Sequence, residues 1–223
     1  TKNKKTTITR KNPNIKFKKI NSKKNITLDF EAVNYNFWTY DWRISFEKGD
    51  KYDSFNSDGY KREFYKIAGS YFPNDNLKIN LGYRVRKENE WLIWTEDNKF
   101  GLYDSEQDTV SIGLNWFSGN KHEIRLKSQF VALQADNPQS LISDSGGYLY
   151  DSDDLIKPFT QGVVSFQVRY KYEIAPLSYL YLVYSKGGTS YDEDEDYSKS
   201  EIFNQPWNNP SDEVYSIKFR LKY

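Results

Sequence analysis

Tyr215-Ser216-Ile217-Lys218-Phe219-Arg220-Leu221-Lys222-Tyr223 is the stretch whose reading decides the fold. Tyr215, Ile217, Phe219, Leu221 and Tyr223 take every second place, with Ser216, Lys218, Arg220 and Lys222 between them. Successive side chains of a strand point to opposite faces. One face here is wholly apolar and aromatic, the other polar and cationic. A sheet with one solvated face alternates in this way, and so does a strand with lipid on one side. The rest of the chain has to choose between them.

The same period recurs upstream. Trp38, Tyr40, Trp42, Ile44 and Phe46 alternate with Thr39, Asp41, Arg43, Ser45 and Glu47. Leu77, Ile79, Leu81, Tyr83 and Val85 alternate with Lys78, Asn80, Gly82, Arg84 and Arg86. Val110, Ile112, Leu114 and Trp116 form a third set, and Ile124, Leu126 and Phe130 a fourth. Val164, Phe166, Val168, Tyr170 and Tyr172 form a fifth. Segments of roughly ten residues suit a tilted transmembrane strand, whereas ordinary strands average about five or six. Weaker alternation near Ile26–Val33, Phe64–Phe72 and Ser178–Ser185 brings the expected count to about nine. Helical periodicity is absent. Trp91-Leu92-Ile93-Trp94 reads as a strand extension or as an apolar run within a loop.

Composition leans towards lipid. Aromatic residues make up 17% of the 223, with 19 Tyr, 14 Phe and 6 Trp. Tyr and Trp gather at both interfaces of membrane barrels. Mean hydropathy is −0.86, and no run approaches the ~18 apolar residues of a membrane helix. A barrel remains compatible, because half of each strand faces a polar lumen. With 32 basic against 31 acidic residues, nothing argues for a nucleic-acid partner. There is no Cys, hence no disulfide framework or thiolate metal site. There is no Met and no signal peptide, so the expectation is a mature form or a fragment of a longer chain.

The connections alternate as well. Pro73-Asn74-Asp75-Asn76, Ser118-Gly119-Asn120 and Ala175-Pro176-Leu177 are tight turns. Polar stretches at Lys48–Arg62, Lys87–Asp108, Gln134–Phe159 and Lys186–Asp212 read as long loops. Short turns at one end and long loops at the other are the pattern of outer-membrane barrels, with the loops outside the cell. Both ends of a closed bacterial barrel lie on the periplasmic side, which demands an even strand count. Nine strands therefore call either for a tenth, around Asn14–Ile20, or for further strands before this chain. The second is preferred, because residues 1–25 are rich in Lys, Asn and Thr and read as a loop or frayed segment.

Three stretches carry a resemblance to a known family. They are Ile124-Arg125-Leu126-Lys127-Ser128-Gln129-Phe130-Val131-Ala132, then the run from Val168-Arg169-Tyr170-Lys171-Tyr172 through Ala175-Pro176-Leu177 to Leu180-Tyr181-Leu182-Val183-Tyr184, and the terminal strand. The C-terminal two thirds resembles Gram-negative outer-membrane barrels of unknown function that follow an N-terminal carbohydrate-binding-module-family-9-like domain. The Arg-x-x-Tyr-like strand, the Pro turn and the Leu-x-Leu-Val-Tyr-like strand are its most specific elements. The turn departs from the family pattern, where a Gly often follows the Pro. The resemblance implies that this chain is the C-terminal part of the barrel and that the carbohydrate-binding domain precedes Thr1. It also implies that assembly machinery reads the apolar face Tyr215, Ile217, Phe219, Leu221 and Tyr223. It carries over no catalytic residues.

Candidate sites are sparse. Asp144-Ser145-Gly146-Gly147 matches the surroundings of a serine-protease nucleophile, but that chemistry needs a His base. The single His, His122, lies beside a turn at the other end of the expected barrel, so the stretch reads as a loop. His122 has no second His or Cys to make a metal site. Asp192-Glu193-Asp194-Glu195-Asp196 offers hard oxygen ligands. Tyr197 and Phe203 stand where an EF-hand loop needs Gly and Glu, so Asp192, Asp194 and Asp196 are weak metal candidates and a solvated loop is preferred. Arg43, Arg84, Arg86, Arg125, Lys127, Arg169, Lys171, Lys218, Arg220 and Lys222 share the polar parity of their strands and should face the lumen. They either pair with Asp41, Glu47, Glu123 and Glu173 in a filled interior, which is slightly preferred, or line a cationic pore.

The expected fold is an all-β, antiparallel, up-and-down transmembrane barrel of about nine or ten strands over residues 26–223, part of a larger barrel. The expected function is a porin-like channel, or a membrane anchor for a surface or periplasmic carbohydrate-binding domain. It lies in the outer membrane of a Gram-negative bacterium and has neither enzyme activity nor a cofactor. Expected partners are outer-membrane lipid, the barrel assembly machinery, other outer-membrane or surface proteins and glycans. The competing class is a soluble, aromatic-rich β-sandwich that binds carbohydrate by stacking.

Overall fold

The computed structural model describes residues 5–9, 14–18, 25–34, 38–53, 56–145, 149–193 and 196–222, with side chains from residue 63 onward. A separate hairpin of β1 (Lys5–Thr9) and β2 (Asn14–Lys18) comes first. The main strands are β3 (Asn25–Asn34), β4 (Trp38–Asp53), β5 (Asn56–Asn74), β6 (Leu77–Glu96), β7 (Lys99–Ser118) and β8 (His122–Ser143). The three-residue β9 (Leu149–Asp151), β10 (Phe159–Ala175) and β11 (Ser178–Glu193) follow, and then a helix, α1 (Lys199–Asn208), and β12 (Asp212–Arg220). The main sheet runs β12-β11-β10-β8-β7-β6-β5-β4-β3, antiparallel throughout, with β9 on β8 off that path. All nine alternating segments lie in it, so the all-β up-and-down architecture holds. Among the described residues β3 and β12 are its edges, and they are not paired.

Several expectations need correction. Lys48–Arg62 and Lys87–Asp108 are mostly strand and not long loops, while Gln134–Phe159 and Lys186–Asp212 are loop only in part: β8 runs to Ser143, and the connection from there to β10 carries β9 among its described residues. β4 and β5 run to Asp53 and from Asn56, while β6 and β7 meet in the two-residue turn Asp97-Asn98. Trp91 to Trp94 extend β6. The last stretch contains α1, against the expected absence of helix. Asn14–Lys18 is a strand but, among the described residues, pairs only with β1 and adds no tenth member to the sheet path. Within residues 1–25, expected as a loop or frayed segment, the described backbone is this hairpin and Asn25, the first residue of β3.

The sheet curls towards its polar face. A cavity of about 690 Å³ on that face is lined both by Lys66 of β5 and by Gln167 of β10. Those strands are four spacings apart, roughly 19 Å on a flat sheet, and one concave surface reaches both only if the sheet bends. The apolar parity is left on the convex side. Ile67, Leu81 and Ile217 are 51%, 58% and 67% exposed there. The short turns Asp75-Asn76 and Pro176-Leu177 and the one around Gly119 all lie at one end, called the lower end here. Gly119 (φ 55°) and Leu177 (φ 63°) take left-handed backbone to close two of them.

Candidate functional site

The convex face is zoned along the strands. Aliphatic side chains form its middle: Ile79 and Leu81 on β6, Ile112 and Leu114 on β7, Leu126 on β8, Leu182 on β11. Below them lie Tyr71, Trp116, Tyr170, Tyr172 and Phe219. His122 sits in this lower belt, its ring 4.9 Å from Tyr172 and its Nδ1 2.7 Å from the Tyr170 hydroxyl. Above the aliphatic zone lie Tyr65, Tyr83, Phe130, Phe166, Tyr184 and Tyr215. Still higher the face becomes polar on β5, β6, β7, β8 and β10 at once. Glu63, Lys87, Glu106, Gln134 and Thr160 are consecutive cross-strand partners in register.

The upper tyrosines point their hydroxyls at this polar zone. Tyr65 donates to Glu63 at 3.0 Å, Tyr184 and Tyr215 both donate to Glu213 at 2.8 and 3.1 Å, and Tyr83 donates to Asp108. Each ring lies on apolar surface with its polar end turned up, the placement such amphipathic rings favour at a boundary between apolar and wet surroundings. Asp108 is 1% exposed, and its charge is met by Lys199 at 2.6 Å.

Helix α1 rests on the convex face across β8, β10 and β11. Ser198 and Glu201 form a capping box at its start. Ile202 and Pro206 are buried against the sheet. Pro206 has no N–H for the Ile202 carbonyl, which turns instead onto Gly162; a side chain at Gly162 would overlap it. Gly188 gives the same close seat to the Pro206 carbonyl. Trp207 stacks edge-on with Phe166 at 5.5 Å, and the Lys186 ammonium lies 4.5 Å over its ring. Lys199 also pairs with Glu106. Burial opposes the charge on both Lys199 and Glu106, but their mutual hydrogen bond and those to Asp108 and from Lys87 outweigh it. The lysine pKa is raised and the glutamate pKa lowered.

The concave face carries the expected basic residues, and it pairs only some of them. Glu123, near the lower end, is met by Arg125, Arg169 (3.1 Å) and Lys171 (3.8 Å). Glu88, 2% exposed near the upper end, is met by Arg86. Arg84 donates to Thr109 Oγ1 at 3.2 Å. Lys127 faces the large cavity. Lys218, Arg220 and Lys222 are exposed on or just after the edge strand β12. The side chain of Arg43 lies outside the described ones. On the convex side of β12, Tyr215, Ile217, Phe219 and, just past the strand, Leu221 are all exposed; Tyr223 lies outside the described residues.

The remaining candidates are not brought together. His122 and Ser145 stand at opposite ends of the 22-residue β8, far beyond the ~3 Å of a nucleophile–base pair; Gly146 and Gly147 lie outside the described residues. Asp192 is next to last in β11 and Asp196 precedes α1, while Asp194 lies outside the described residues. Among the described residues no group of three or more His, Cys, Asp or Glu is placed to hold a metal. Sequence reasoning missed Lys66, Glu88 and α1. The capping box Ser198-Lys199-Ser200-Glu201 was the available signal for the helix. Lys66 sits in a segment where Phe64 and Phe72 blur the alternation. In comparisons with known proteins, no family model and no curated protein matches the chain.

Proposed function

We propose that the chain forms the wall of an outer-membrane β-barrel with a polar, water-filled interior, a porin-like channel in which the curled sheet separates lipid from lumen. The observation that carries this is the convex face. An aliphatic zone lies between two aromatic belts, and the upper tyrosines donate to carboxylates just above it. Membrane barrels place aromatic girdles at both edges of an apolar band, and a sheet whose convex face met water would gain nothing from large exposed aliphatic groups there. The concave cavity favours a channel over a purely structural anchor for a carbohydrate-binding domain. That anchor remains compatible with the same wall.

The test is partition and folding. The protein should fractionate with the outer membrane, need detergent for extraction, and migrate faster on gels unheated than boiled. Recovery as a folded, monodisperse protein in detergent-free buffer would remove the reading. A carbohydrate-stacking role is the second reading. It is favoured by the aromatic row Trp91, Tyr103, Phe159 and Tyr191 at the upper end of the concave face, with Phe159 ring centroids 5.2 Å from Tyr103 and 5.3 Å from Tyr191.

A further inference from the structure

On the described concave face of β5 to β10 the acids lie near its two ends, Glu123 and Glu173 at the lower and Glu88 at the upper, and Glu123 and Glu88 are engaged by cations. Between them, from Arg125 up to Arg86, the described concave side chains of β5 to β10 include no carboxylate. The cations there are unevenly satisfied. Arg84 has Thr109, whereas Lys66 and Lys127 have no carboxylate partner among the described residues. Both lysines line the 690 Å³ cavity, together with the neutral hydrogen-bonding groups of Ser70, Asn80, Gln129 and Gln167. Its floor is kept low by Gly82 and Gly113: a side chain at Gly82 would meet Ser111 Oγ at 2.5 Å, and one at Gly113 would meet Asn80 Nδ2 at 3.2 Å. In Cα register, β4 sets Asp41 and Arg43 beside Ser70 and Ala68, and β3 sets Glu31 and Asp29 beyond them. The acids of these rows thus gather towards β3, and the positive balance belongs to β5–β8.

We infer that this cavity is a binding site for a small oxyanion-bearing solute, a carboxylate or phosphate compound, held between Lys66 and Lys127. Two ammonium groups that meet no carboxylate among the described residues, in a concave, low-dielectric wall, focus a positive potential into the cavity. Lysine supplies a point charge without demanding bidentate geometry. The surrounding amides and hydroxyls replace the solvation of the anion's oxygens and of neighbouring hydroxyls on the solute. Glu123 cannot neutralise the site, because three cations already surround it. The inference rests on the reading of this face as a barrel lumen, but the site itself would bind in any solvent.

The experiment has two arms on the whole protein. In planar bilayers under a potassium chloride gradient, the reversal potential should lie on the anion side, and inorganic phosphate should reduce the chloride conductance. Lys66→Gln and Lys127→Gln should each weaken phosphate block about fivefold, and Lys66→Glu with Lys127→Glu should move the reversal potential towards the cation side. In the second arm, calorimetric binding of inorganic phosphate to the purified protein should show the same ranking of variants. A cation-selective wild type overturns the proposal, and so does phosphate binding that the lysine variants leave unchanged. Detergent-folded protein that neither conducts nor binds phosphate also overturns it, while leaving the barrel reading standing. Lysine-dependent phosphate binding by a protein soluble without detergent would keep the site and sink the barrel.

Discussion

Leu81 on β6 and Gln129 on β8 are both exposed, on opposite faces of one sheet. Leu81→Arg places a guanidinium in the middle of the aliphatic zone. In lipid this should cost about 2–4 kcal/mol near the bilayer midplane, whereas in water an exposed substitution stays within about 0.5 kcal/mol. Gln129→Arg, facing the cavity, should leave membrane insertion unchanged. Urea titration of the two variants in lipid vesicles is the measurement, and equal stabilities would argue for water on both faces. The parity behind this contrast was legible from sequence, because Leu81 sits in unbroken alternation and Gln129 falls on the polar parity of β8 despite the break at Ser128. Glu88 was not. The strand bulges between Glu88 and Trp91, where Glu90 takes φ 57°, and the break in register hides which face each residue takes.

At the scale of elements, the docking of α1 is held by backbone approach as much as by side chains. Gly162→Ala should push the Ile202 carbonyl away and destabilise the docked helix by about 1–3 kcal/mol, the usual range for overpacking. Trp207 fluorescence should shift to the red, with the strand signature in circular dichroism preserved. Charge adds a pH window. The Glu106 pKa is lowered in the docked state, so its contribution is present above the ordinary glutamate range and lost as pH falls through the lowered value. The Lys199 pKa is raised, so its contribution is present below the ordinary lysine range and lost as pH rises through the raised value. Trp207 emission should therefore be flat around neutrality and should shift at both extremes; a shift centred near neutral pH would contradict this pairing. The helix was hard to see in sequence because Pro206 interrupts it. The upper strand halves were hard to see for a different reason. Beyond Lys87, β6 carries Glu88, Asn89, Glu90, Thr95 and Glu96 among its apolar residues. A segment with polar groups on both faces loses period two, and it is the backbone ladder to β7 that keeps it extended.

For the whole molecule, an antiparallel path of nine strands has ends that run the same way, so β3 and β12 point in one direction. A direct seam between them would be a parallel pair, and antiparallel closure takes an odd number of further strands. Each open edge leaves unpaired N–H and C=O groups, and no such edge survives in hydrocarbon. If this wall spans a membrane, as proposed, the zoning of its convex face sets the bilayer thickness that suits it. From Leu77 to Val85 the apolar side of β6 spans about 27 Å along the strand, and at a 35–45° tilt that is only about 20 Å of height. The tyrosine hydroxyls tied to Glu63, Asp108 and Glu213 keep the upper boundary from sliding. A bilayer whose hydrocarbon is ~30 Å thick would have to thin around this wall, at a cost of fractions of a kcal/mol per Å. The protein should accordingly fold faster and more completely into vesicles of short-chain than of long-chain phosphatidylcholine, as unheated gel mobility would record, and it should settle wherever the cell keeps its thinnest bilayer.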